Sequence, residues 1–173
     1  MTDVIRDIAE IDDDRPRDHR PVVREAAQSA YDALFAVPLD DPVPGVGRDL
    51  RHLIAARAAW LEGDRSAADW YLARTGGVAD AADLAVGGAD GAAGVRAGRR
   101  LRAALRHVDA LVTRPASTTA DDLAGLVAAG WSAAEIVVLG QIVGLVSYQV
   151  RVAQALRVQD DLFGHEIHEE GSR

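Results

Sequence analysis

The chain of 173 residues contains no cysteine and no lysine, and aromatic residues make up only 5% of it. Without cysteine there is no disulfide, no thiol catalysis and no Cys-ligated zinc. Every side-chain cation other than histidine is an arginine, and 19 of them face 27 acidic residues, a formal charge of −8. That balance disfavours nucleic acid and anionic membrane surfaces as partners, because both demand a basic footprint. The scarcity of aromatics, beside abundant alanine, favours helices over strands. The amino-terminal stretch has no apolar run of the signal-peptide kind, so the expected compartment is the cytoplasm.

What the chain does have is one long apolar stretch, residues 130–158 (GWSAAEIVVLGQIVGLVSYQVRVAQALRV). Ser132 and Glu135 form a capping-box pattern at its start. Apolar residues then surround the helix, which predicts a helix buried on every face. Its length approaches the ~20 residues of a membrane span, but Glu135, Gln141, Gln149 and Arg151 interrupt it, and no basic flank follows. Such polar groups must find partners, in a pocket or at a subunit contact, and Arg151 is best placed for the latter.

The remaining helices are shorter. Val4, Ile5, Ile8 and Ile11 give residues 3–12 one apolar side, closed by Asp12, Asp13 and Asp14, whose plain reading is a solvated acidic turn. Pro21 opens a second helix carrying Tyr31 and Leu34, and residues 38–47 form a Pro/Gly-broken connector. A third helix runs from Arg48 to Leu61, and a fourth from Ser66 to Arg74. Residues 76–94, with six glycines, predict a mobile loop with at most one helical turn near 81–85, either a lid or a flexible excursion. A helix over 96–112 bears an arginine-rich face, expected to be balanced by acidic neighbours, and Ser117–Asp122 caps a short helix before Gly130. Residues 159–173 read as an acidic tail of low order; His165 and His168 lie three apart, but HEIHEE lacks the HExxH spacing of metalloproteases. The expected organisation is an amino-terminal helix and tail over 1–20, a helical domain over 21–158 and the tail over 159–173.

The order RDLRHLIAARAAWLEGDRSAADWY, a loop, then RAALRHVDALVTRPASTTADDLAGLVAAGWSAAEIVVLGQIVGLVSYQVRVAQAL resembles the carboxymuconolactone decarboxylase/AhpD-like superfamily, closest to its peroxidase-related members. The resemblance covers residues 22–158. It implies an all-α, AhpD-like helical bundle with a buried central C-terminal helix, and a homo-oligomer, whether dimer, trimer or larger ring. Peroxidase members of that superfamily carry C-x-x-C-x-x-x-H preceded by a glutamate. Aligned residue by residue, Gly63 and Ser66 stand at the two cysteines, Trp70 at the histidine and Arg51 near the glutamate; a slip of one residue would bring in Glu62 or Tyr71. No register supplies a thiol, and serine has no peroxide redox cycle, so thiol peroxidase activity is excluded.

Three functions remain as expectations. One is a cysteine-free acid/base enzyme on a small acidic or lactone substrate, with His52, Asp64, Ser66, Asp69 and Tyr148 as candidate catalytic residues. Each has a plainer role: His52 and Tyr148 as packed or surface residues, Asp64 and Ser66 as helix caps. The others are a catalytically silent oligomeric scaffold and an accessory partner of a cysteine-bearing homologue. No cofactor or metal is implied by any of the three. The enzyme reading requires a cavity in which two or more ionisable groups converge.

Overall fold

A computed structural model of the protein describes residues 3–11, 19–37 and 43–170, with the backbone alone for 163–170. Asp12, Asp13 and Asp14, the connector over 38–42, and the side chains of His165 and His168 lie outside the described residues. Among the described residues the chain is all-α: nine α-helices, no strand, 76% helical.

Helix α1 (Val4–Ala9) is capped by Asp3, whose carboxylate accepts the amides of Ile5 and Arg6. It buries Val4, Ile5 and Ile8 almost completely, each worth about 1.5–3 kcal/mol on burial. The helix is therefore part of the core rather than an appendage. Helix α2 (Pro21–Phe35) starts on its proline and holds α1 through Gln28, whose Oε1 accepts the Val4 amide at 2.9 Å. Helix α3 (Arg48–Leu61) is followed by Gly63 at φ +85°, a left-handed turn that an L side chain resists. Helix α4 (Arg65–Leu72) then folds back against α3, capped by Asp64 through the Ala67 amide.

The expected loop over 76–94 is instead largely helical and packed down. Helices α5 (Ala81–Gly87) and α6 (Ala92–Arg96) bury Leu84, Ala85 and Ala93, and the turn between them buries Ala89. Arg57 of α3 fixes them, donating from Nη1 to the carbonyls of Ala85 and Val86 at 3.0 and 2.6 Å. Gly88 is left-handed at φ +58°, and a Cβ there would lie 2.6 Å from the Arg57 guanidinium. Small residues let the segment approach α3 closely, and a cation satisfies its helix-end carbonyls.

Helix α7 (Arg99–Thr113) packs its apolar face on α3 and α9, and a single 3₁₀ turn (Pro115–Ser117) leads to α8 (Ala120–Ala128). The arginine-rich face of this region is balanced as expected: Arg96 pairs with Asp80, Arg102 and Arg106 with Asp90, and Arg100 with Glu135. Helix α9 (Ala133–Glu170) has 38 residues, about 57 Å at 1.5 Å per residue. Its capping box forms as the sequence predicts: the Glu135 amide donates to Ser132 Oγ, and the Ser132 amide to Glu135 Oε2 at 2.7 Å. The helix continues beyond Val158 to Glu170, so the expected low-order tail is helical along most of its length.

The expectation of burial on every face holds for α3, not for α9. In α3, Leu53, Ile54, Ala55, Ala56, Ala58 and Ala59 are wholly inaccessible. Its alanines permit close approach from all sides. Helix α9 buries Leu139, Ile142, Val146, Gln149 and Ala153 along one side, while Val137 and Val158 on the other are 58% and 59% exposed.

Candidate functional site

Two helices meet with side chains spaced four apart. Tyr31 and Phe35 share a face of α2, and Arg48 and His52 share a face of α3. Between them, closed by Ala36 and Val37, lies a cavity of about 430 Å³, within the range of small-molecule sites. Aromatic rings form its walls and floor. Tyr31 stacks on Phe35 at 4.7 Å, Phe35 lies 4.8 Å from the His52 ring, and Tyr71 and Trp70 back them from α4. Arg74 covers the outer face of Trp70 at 3.5 Å.

The protonation states follow from the contacts. His52 Nδ1 lies 2.8 Å from the Arg48 carbonyl oxygen. A carbonyl only accepts, so Nδ1 carries the proton and Nε2 keeps its lone pair. That lone pair faces the Tyr31 hydroxyl at 3.5 Å, a long contact that leaves both groups available. Burial pushes the His52 pKa below the ordinary imidazole value, and the Arg48 and Arg74 charges push the same way. Burial pushes the Tyr31 hydroxyl up. The cavity thus presents a neutral imidazole base beside a protonated phenol. At its edge stands the exposed guanidinium of Arg48, without a hydrogen bond or ion pair among the described residues. Such a set can hold a carboxylate on Arg48, take a proton at Nε2, and donate a hydrogen bond from Tyr31 to a developing oxyanion.

The other sequence candidates go elsewhere. Asp64 caps α4 and accepts from Arg157 Nη1 at 2.6 Å, and Arg157 also binds the carbonyls of Ile8 and Ala9. Its carboxylate therefore ties α1, α4 and α9 together. Ser66 donates to Glu10 at 2.9 Å, and Asp69 is exposed on α4. Tyr148 sits on the outer face of α9. At the positions aligned with the peroxidase motif, Arg51 is buried, donating to the carbonyls of Val46 and Leu34, and Gly63 makes the turn after α3. Trp70 belongs to the aromatic wall. Of the sequence candidates, His52 alone lines the cavity. Tyr31 and Arg48 were not among them, although the four-residue spacings Tyr31–Phe35 and Arg48–His52 would have paired them.

The interrupting polar groups of α9 divide between core and surface. The Tyr71 hydroxyl donates to Gln149 Oε1 in the core, while Gln149 Nε2 has no hydrogen-bond partner among the described residues. Gln141 is exposed, and Arg151 lies 3.5 Å from Glu62, which also accepts from Ser147.

A second, larger groove of about 740 Å³ runs between α7 and α8. Two of its arginines are already neutralised by Asp90, and the Nδ1 of its His107 is shut off from solvent with no partner among the described residues. Among the described residues no cluster of His, Asp and Glu has the makings of a metal site. Compared with known proteins, the chain matches no family model, no curated protein and no solved structure.

Proposed function

We propose that the chain is a cysteine-free acid/base enzyme acting on a small carboxylic acid or lactone. It would stand nearer in logic to the decarboxylase branch of the carboxymuconolactone decarboxylase/AhpD-like superfamily, which its sequence resembles, than to the peroxidases. The observation that carries this reading is the pairing of a neutral His52 Nε2 with the Tyr31 hydroxyl inside one cavity, beside the exposed guanidinium of Arg48. Arg48 would bind the substrate carboxylate. His52 would remove the proton from the neighbouring carbon, and Tyr31 would stabilise the oxyanion that forms.

The test uses benzoate as an anionic aromatic probe and a γ-lactone carboxylic acid as a reactive one. In an NMR titration, benzoate should shift the His52 ring signals and the Ala36 and Val37 amides. Arg48→Gln should weaken binding by about tenfold or more, the worth of a charge-assisted contact. Incubated in D₂O, the lactone acid should exchange the proton next to its carbonyl, and His52→Gln should stop that exchange while leaving the helical circular dichroism intact. A cavity that ignores benzoate at millimolar concentration, or exchange that survives His52→Gln, refutes the reading.

A further inference from the structure

Helix α9 carries an exposed stripe that its own fold engages only at Arg151, 3.5 Å from Glu62. From Val137 to Leu162, through Gln141, Gly144, Tyr148, Arg151, Ala155 and Val158, exposed residues recur in alternating steps of four and three. This is the heptad spacing of a helix–helix seam. A surface helix normally turns charge to water, yet the one charged residue of this stripe is Arg151. The face is also open: a Cβ built on Gly144, or on the neighbouring Gly140, meets nothing within 4 Å.

We propose that this face is an interface with a second copy of the chain, the two α9 helices lying antiparallel about a two-fold axis between Gln149 and Val150. That placement is self-complementary, which is what an isologous contact requires. Val137 stands level with a second copy's Leu162, Gly144 with its Ala155, and Tyr148 with its Arg151. Three of the layers are apolar on apolar, small on small, and guanidinium on aromatic ring, and the fourth lays the Gln141 side chain on a second copy's Val158. Charge selects the antiparallel sense. A parallel pair would set Arg151 level with Arg151, and would align the acidic ends that begin at Asp160 and Asp161. The antiparallel pair brings each acidic end to the other helix's amino-terminal turn, the positive end of its dipole. The strip is about 38 Å long and about 10 Å wide, smaller than the roughly 800 Å² per partner of a standard interface. A strip of that size suits a weak, reversible dimer. It is independent of the chemistry at His52, which lies on a different pair of helices.

Sedimentation velocity over the micromolar range tests it. The wild-type chain should pass from monomer to dimer, and Ala155→Glu or Val137→Glu, both at exposed positions, should raise the dissociation constant at least tenfold with unchanged circular dichroism. The absence of cysteine makes the register directly readable. Oxidation of Gly144→Cys protein mixed with Ala155→Cys protein should yield a covalent mixed dimer, and Gly144→Cys alone should not cross-link. A chain that stays monomeric at high micromolar concentration overturns the proposal. So does a dimer indifferent to both glutamate substitutions, self-cross-linking of Gly144→Cys, or a monomer that instead co-sediments with phosphatidylcholine vesicles through this face.

Discussion

His52 is neutral because burial and two neighbouring arginines oppose its charge, and the same fact makes the fold sensitive to acid. Its folded-state pKa lies below the unfolded value of about 6.5. Below that value the unfolded chain binds a proton that the folded chain refuses, so stability rises with pH across the window between the two values and is lost as pH falls through it. His107, lowered chiefly by burial, adds in the same direction. Denaturant unfolding at pH 7 and pH 5 should show a loss of up to about 1.4 kcal/mol per pH unit for each histidine. His52→Gln should remove one share of that slope, and a slope unchanged in the variant would mean that the imidazole is not held neutral by the fold. At this scale the sequence was partly legible. The cap at Ser132–Glu135 announced itself because capping chemistry is local in sequence. The partnership of His52 with Tyr31 spans 21 residues and two helices, so no local signal joins them. Asp64 is the converse case. Its cap was foreseeable, but the ion pair with Arg157, 93 residues away, was not.

At the scale of elements, the segment holding α5 and α6 shows how a distant side chain decides a local structure. Its glycines and alanines predict a mobile loop with at most one helical turn, yet Arg57 supplies contacts that hold it down. The Arg57 guanidinium is nearly buried, bound to Asp109 through Nε at 2.7 Å and to two carbonyls through Nη1. Removing it strands a partly buried carboxylate and unsatisfied helix-end carbonyls. Arg57→Ala should therefore cost about 3–5 kcal/mol. It should raise amide hydrogen exchange across 81–96 ahead of the rest of the chain. Exchange that rises evenly everywhere would show that α5 and α6 have no separate anchor. The exposed face of α9 was misjudged for a related reason. An apolar residue in sequence gives the same signal whether it faces a core or another molecule, so a helix apolar all round reads as buried all round. The alanine-rich α3, whose mean hydropathy is unremarkable, is the helix that fills the centre.

For the whole molecule, the all-α class followed from composition and helical periodicity together, because alanine is abundant, aromatic residues are only 5% and the apolar positions recur at helical spacing. Association was not legible in that way, since it depends on which residues the fold leaves outside. It has a thermodynamic signature separate from any count of subunits. If α9 pairs with a second copy, folding and dimerisation are linked, and stability depends on concentration. Above the dissociation constant, free folded monomer grows as the square root of total protein. Each tenfold rise in concentration then adds about 0.7 kcal/mol per chain. For a domain of this size that shift raises Tm by about 2 °C. Scanning calorimetry of the wild-type chain across the micromolar range should show this drift, and Val137→Glu, which places a charge in the seam, should flatten it. The −8 charge opposes association at low ionic strength through self-repulsion. Added salt should therefore steepen the wild-type drift, because screening relieves that repulsion without weakening an apolar seam. A Tm independent of concentration at both low and moderate salt would leave the outer face of α9 without a partner of its own kind.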